Sequence, residues 1–366
     1  MDIQQSVVPV VSVKNLVRIT DVIPRMVDEG YYHKLVEERR EFERKGLSFF
    51  NQLHDLELIY YFVHDQQHIY AKHSRSDRTK REYLRDLLYF YDWCIRKVES
   101  TQSKNIFSKL SPVDIEVYQD ELISRYSVAT VARKVTVIKS FLKFLYKRQL
   151  LETPLYMEMK RATVRMKDRP NRDIEYEEMK QIVDYYKNHP ILHALFSVLM
   201  TTGIRVEELC NARVCDLTYD RKRNEYWLRV IGKGNKERDV LIFPPIFERI
   251  VLFRKRRGLE TILNAQDDSP LFTTNKGKKY SPKYLSRYLT EAIERTKLPF
   301  LSRIQGKVTP HWFRHGVAIL LREAGADIRE IQLYLGHESL RTTEIYLDRH
   351  IKKEKSAARK LSDISF

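Results

Sequence analysis

Between Ser127 and Leu151 the chain carries six Lys or Arg and no acid, and its apolar residues fall at Val131, Val135, Ile138, Leu142 and Leu145. Those intervals of three and four line up on one stripe of an α-helix. Lys139, Lys143 and Lys147 stack at i+4 on another face. The same helical reading extends over most of residues 55–165. LELIYYFVHDQQHIY opens the region, and Ser76 to Cys94 continues it with Thr79, Tyr83, Leu84, Leu87, Leu88 and Tyr91 at helical spacing. SPVDIEVYQDELISRY carries a helix start at Ser111-Pro112.

Residues 31–48 read as a charged helix, and the first 54 residues as a helical extension used for packing or subunit contact. Residues 55–160 form an all-helical domain. Residues 161–173 lack periodicity, contain Pro170 and are rich in cations, which makes them a basic linker. A second domain, residues 174–366, opens with the helical runs YEEMKQIVDYYKN and ILHALFSVLMTT. It then carries β-prone segments on both sides of a Gly-Lys-Gly-Asn-Lys turn in YWLRVIGKGNKERDVLIF, a hairpin. The expected fold is therefore mainly α in two domains, the second α+β with a small antiparallel sheet.

A length of 366 residues suits two or three domains. Lys and Arg number 66 against 49 Asp and Glu, a net charge of +17, which calls for a polyanionic partner. Of the two acid-poor stretches, one is 127–151. The other is Lys72 to Arg85, with six cations against two acids. An ordinary solvated helix face mixes signs, so two one-signed segments point to a surface that tracks phosphates. Arg78, Lys80, Arg133, Lys134, Lys139, Lys143 and Lys147 are the candidate phosphate contacts. Three cysteines fit a reducing compartment rather than a disulfide scaffold. No apolar run approaches the ~20 residues that span a bilayer, and the first residues lack the basic start of a secretory signal. No amphipathic helix with a Trp/Phe face supports a membrane-surface reading of the charge. A cytoplasmic, nucleoid-associated protein is expected.

Four short segments of the second domain carry chemistry. In TTGIRVEELCNAR, Gly203 breaks a helix, Arg205 begins the next, and Glu208 follows one turn later. The hairpin turn presents Lys233 and Lys236; it is no phosphate-cradling Walker loop, because G-x-x-x-x-G-K-[ST] is absent. In TPHWFRHGVAILLREAG, Thr309 and Pro310 open a helix that sets His311 and Arg314 on one face. His311 and His315 stand at i and i+4, but HWFRH is not a zinc-binding H-E-x-x-H, so no metal is expected. In IREIQLYLGHESLRTTEIYL, Gly336 ends a helix, His337 sits in the turn, and Tyr346 lies nine residues later.

Taken singly, these are a helix start with an ion pair, a solvated turn, a packed helix and one of 22 tyrosines. Together they meet the needs of phosphoryl transfer without a metal or cofactor. A phosphodiester under attack spreads negative charge over its equatorial oxygens. Two arginines can clamp those oxygens, a histidine can donate to another, a phenol can attack, and a lysine can protonate the leaving oxygen.

In these residues the chain resembles the tyrosine recombinases, the phage-integrase and Xer type, over roughly residues 55–350. TGIRVEEL is similar to the family's first arginine box, GKGNKERDV to its lysine hairpin, HWFRH to its His-x-x-Arg box, and LGHESLRTTEIYL to its final box. Residues 76–150 resemble its helical core-binding, SAM-like domain. The resemblance implies that Tyr346 is the nucleophile, forming a 3′-phosphotyrosyl link to DNA, and that Arg205 and Arg314 bind the scissile phosphate. It implies that His311 assists Tyr346 as general base, that Lys233 is the general acid, that His337 completes the pocket and that Glu208 supports it from behind. Tyr334 is the second choice as nucleophile.

The resemblance further implies a clamp around duplex DNA, strand exchange through a Holliday junction, and a homotetramer on paired sites, with accessory DNA-bending or directionality proteins as further partners. The long N-terminal extension favours a mobile element, a phage, transposon or conjugative element. The rival readings are a catalytically inactive DNA-binding regulator that keeps the fold, and a type IB topoisomerase. The intact set of six catalytic residues weighs against the first, and the recombinase-like linker and helical domain against the second.

Overall fold

The computed structural model of the chain describes residues 19–65, 75–98, 105–163, 173–232, 236–337, 340 and 343–344. The chain divides into two compact units, Met1–Pro170 and Asn171–Phe366.

The described part of the first unit is helical: α1 Ile19–Met26, α2 Gly30–Arg44, α3 Asp55–His64, α4 Asp77–Val98, α5 Pro112–Arg125 and α6 Val128–Lys147. The helix start read at Ser111 is a capping box. Asp114 N–H donates to the Ser111 hydroxyl, and the Asp114 carboxylate accepts from Ser111 N–H at 2.8 Å. On α6 the stripe Val131, Val135, Ile138, Leu142 and Leu145 is buried, as its spacing requires. α3 is apolar on every side, with Leu58 to Val63 all buried, so it runs through the middle of the core. Aromatic rings hold that core together: Phe62 meets Phe141 edge-on at 5.3 Å, and Phe50 meets Phe144 at 5.7 Å. The expected N-terminal extension does not stand apart. Val22, Met26, Leu35, Phe49 and Phe50 belong to the same core.

The second unit opens with α7 Tyr176–Tyr185, α8 Pro190–Thr202 and α9 Val206–Asn211. A three-stranded antiparallel sheet follows, in the order β1 Leu217–Asp220, β2 Glu225–Ile231 and β3 Glu237–Ile242. Then come α10 Pro244–Arg256, α11 Pro282–Thr296, α12 Pro310–Glu323 and α13 Ile328–Leu335. The hairpin is β2–β3, with Leu228 opposite Val240 and Val230 opposite Arg238. β1 adds a third strand with Leu217 opposite Leu228; at four residues its own pattern was too short to read. α8 is the central helix here, with Leu195, Phe196 and Leu199 fully buried and Phe196 stacked on Phe313 of α12 at 5.6 Å.

α8 ends where Gly203 turns left-handed, at φ 61°. A Cβ there would lie 2.9 Å from Leu335 Cδ2 and 3.2 Å from Val317. Glycine is thus required for its conformation and for the close approach of α12 and α13. That approach brings the segments described next together.

Candidate active site

Arg205 occupies the N-cap of α9, in extended backbone. Glu208, one turn later and buried, folds back: its carboxylate accepts Arg205 N–H at 2.7 Å and Arg205 Nη1 at 2.8 Å. Arg205 Nη2 reaches the carbonyl of Gly336 at 3.2 Å, across 131 residues of sequence. Arg314, on α12, is only 1% exposed. Its guanidinium donates to the carbonyl of Gly203 at 2.8 Å and to that of Leu335. The two arginines therefore tie the ends of α8 and α13 to one place.

His337 follows the left-handed Gly336 that closes α13. Its backbone is held at both ends by Gln332: His337 N–H donates to the Gln332 carbonyl, and Gln332 Nε2 donates to the His337 carbonyl, both at 3.0 Å. Its Nδ1 lies 2.9 Å from the Thr343 hydroxyl. Burial pushes the His337 imidazole down to about 3, aided by the charges of Arg314, Arg205, His311 and Arg238. It is therefore neutral at ordinary pH, with a single N–H to give. His311 packs edge-on against His315 one turn along α12, at 5.2 Å.

Arg238, which the motif reading passed over, is central to the arrangement. Its Nη1 and Nη2 fork the two oxygens of Glu208, each at 2.9 Å, and its Nε donates to the Tyr334 carbonyl at 2.9 Å. Burial alone would raise the Glu208 carboxyl, but Arg238 and Arg205 hold it below the usual carboxylate range. The signal was present in the strand period, because Arg238 shares a face of β3 with the buried Val240 and Ile242. A cavity of about 350 Å³ opens beside these groups, lined by Arg205, Lys236, Arg238, Gln332, Gly336 and His337 among others.

The expected general acid Lys233 and nucleophile Tyr346 lie outside the described residues. Tyr334, the second choice as nucleophile, donates its phenol to the Thr201 carbonyl at 3.2 Å, and burial pushes that phenol up to about 12. Among the described residues no cluster of three or more His, Cys, Asp or Glu is arranged to hold a metal ion.

The expected phosphate contacts divide into two groups. Lys80 and Lys134 are corrections. Lys80 is buried and paired with Glu29; Lys134 is buried and donates to Asp86 at 2.8 Å, where Arg133 also binds. These ion pairs neutralise charges inside the helical unit, so neither lysine presents its ammonium on the surface. Lys139 is half-buried and donates to the Met159 carbonyl at 2.8 Å. Lys143 and Lys147 are exposed, as is Arg78, which lies 3.6 Å from Glu82.

Comparison with known proteins gives two family matches: the phage integrase family over residues 172–353, and the phage integrase N-terminal SAM-like domain over residues 66–149. A relative described as tyrosine recombinase XerC from Myxococcus xanthus is 30% identical over 285 residues, 76% of this chain and 89% of the relative. Another, from Leptospira interrogans serogroup Icterohaemorrhagiae serovar copenhageni, is 29% identical over 293 residues, 78% of this chain and 87% of the relative. Among solved structures, a lambda integrase dimer bound to a COC′ core site gives a TM-score of 0.61 at 16% identity, over 81% of this chain and 78% of that one. The XerH site-specific recombinase bound to palindromic difH substrate, a post-cleavage complex, gives 0.58 at 20% identity, over 75% and 82%. At these identities the structural likeness speaks to the fold.

Proposed function

The chain belongs to the tyrosine recombinases of the phage integrase family, and on that premise we propose that it cuts and rejoins duplex DNA through a 3′-phosphotyrosyl bond to Tyr346. The observation that carries the reading is the convergence of Arg205 with Arg314 and His337, which follow it by more than a hundred residues, on the turn at Leu335–Gly336. Two guanidiniums and a neutral imidazole suit a phosphate whose equatorial oxygens gain charge during attack. The Tyr346 oxygen forms the new bond to phosphorus as the bond to the 5′-oxygen breaks. Its proton passes to His311, and Lys233 supplies a proton to the departing 5′-hydroxyl. Attack by the 5′-hydroxyl of a second strand reverses these steps and joins the ends. The bond energy stays in the phosphodiester, so the reaction needs neither ATP nor a metal cofactor.

Exchange between two duplexes takes four such active sites, hence a homotetramer on paired sites, and we assign the protein to a mobile element. An adjacent excisionase, phage or transposon gene would support that assignment. The test of the chemistry is a substrate nicked near the cleavage point, which traps the covalent adduct. Tyr346→Phe is expected to abolish the adduct while gel-shift affinity stays within about twofold, because binding rests on many phosphate contacts. An adduct that persists in the Phe variant would place the nucleophile elsewhere, and no adduct with the unaltered protein would favour the inactive regulator.

A further inference from the structure

The pocket is braced by an arginine that the proposed chemistry does not use. Arg238 lies on β3, just past the hairpin tip. Its side chain is 12% exposed and that of Glu208 is 2% exposed. Each Glu208 oxygen takes two donors: Oε1 accepts Nη1 of both Arg205 and Arg238, and Oε2 accepts Arg205 N–H and Arg238 Nη2. The four bonds match the roughly four lone-pair directions a carboxylate offers. Arg238 Nε holds the Tyr334 carbonyl in the last turn of α13, and a Cβ on Gly336 would meet Arg238 Nη1 at 3.0 Å. A single guanidinium thus touches the hairpin strand, the start of α9 and the turn that leads to His337.

We propose that Arg238 is a positioning residue for strand cleavage: by forking Glu208 it fixes the Arg205 guanidinium toward the scissile phosphate and leaves its charge available there. This rests on the recombinase reading above. The physical reason is charge sharing. Arg205 and Glu208 alone form a neutral i,i+3 pair, in which the carboxylate competes with phosphate for Arg205. With Arg238 added, the three groups carry one net positive charge, and the carboxylate is locked by a rigid fork. Lysine cannot replace that fork, because an ammonium is a point charge without two parallel donors.

The test uses Arg238→Lys, with the double variant Arg238→Met/Glu208→Gln as a second probe that leaves no unpaired carboxylate. Single-turnover cleavage of a nicked substrate, gel shift and thermal unfolding are measured on the same preparations. Arg238→Lys is expected to bind DNA within about twofold and to cleave about ten- to a hundredfold more slowly, the scale of a misplaced catalytic group. A scissile methylphosphonate carries less charge for Arg205 to neutralise, so it should recover much of that loss in both variants. A substrate with a 5′-bridging sulfur relieves only the leaving-group acid and should not. Recovery by the sulfur substrate instead would mean that Arg238 serves the lysine hairpin, and would overturn the assignment to Arg205. Cleavage lost in step with binding and melting temperature, with no methylphosphonate recovery, would reduce Arg238 to a structural brace. An unaltered protein that forms no adduct would sink the recombinase reading itself, whereas an active protein with equally active variants would sink this proposal alone.

Discussion

His337 shows how far a residue's surroundings decide its chemistry. Burial among cations keeps the ring neutral and its pKa near 3, against an ordinary 6.5. The linkage has a definite sign. The unfolded chain binds a proton below 6.5 that the folded site refuses until about 3, so the stability contribution is present above 6.5 and is lost as pH falls through that window. At pH 4.5, two units below the ordinary value, the loss attributable to this group is about 2–3 kcal/mol. His337→Asn should therefore lose less stability than the unaltered protein between pH 7 and 4.5, read as a smaller drop in melting temperature for the second unit. Equal drops would show that His337 titrates normally in the fold. The place of His337 after a helix-ending glycine was legible in the sequence. Its neutrality was not, because it comes first from burial and then from the charges of Arg314 and Arg205, which the fold brings in from other segments.

The ends of the helices, more than their middles, build the site. The capping box at Ser111, the stop at Gly203 and the stop at Gly336 could all be read from residue type, since each rests on a local backbone requirement. β1 could not be read because it is too short for a period. The strand period puts Arg238 on the buried face of β3, but its role was not legible, because it depends on a carboxylate 30 residues earlier in the chain. Gly203 is the most constrained of these ends. Alanine there must hold φ near 61° and place its Cβ 2.9 Å from Leu335 Cδ2. The left-handed backbone costs about 1–2 kcal/mol, and the crowding adds to it by pushing on the residue whose carbonyl accepts Arg314. Gly203→Ala should lower stability by about 2–5 kcal/mol, adding the overpacking range to that cost, and slow cleavage more than it weakens DNA binding. A variant with unchanged melting temperature would mean that α13 moves aside freely.

At the scale of the whole chain, the net charge of +17 gave the class of partner but not the residues that meet it. A charge count cannot see that Lys134 is cancelled by Asp86, 48 positions away, or that Lys80 is paired with Glu29, 51 positions away. The i+4 ladder of α6 is genuine, but its first member, Lys139, bonds the Met159 carbonyl, which leaves Lys143 and Lys147 as the exposed pair. These placements separate two kinds of lysine by experiment. Each neutralised phosphate adds about 0.9 to the slope of log K against log salt, so six to ten contacts give a slope of roughly −5 to −9. Replacing Lys143 and Lys147 together by alanine should flatten that slope by about 1.8, weaken specific and non-specific DNA alike, and leave the melting temperature nearly unchanged. Lys134→Ala should do the reverse. It leaves Asp86 buried with the part-exposed Arg133 as its remaining cation, so it should destabilise the helical unit by up to about 3–5 kcal/mol while hardly moving the salt slope. A slope that responds to Lys134 and ignores Lys143 and Lys147 would mean that the exposed face of α6 is only solvated, and that the phosphate-tracking surface lies on other helices.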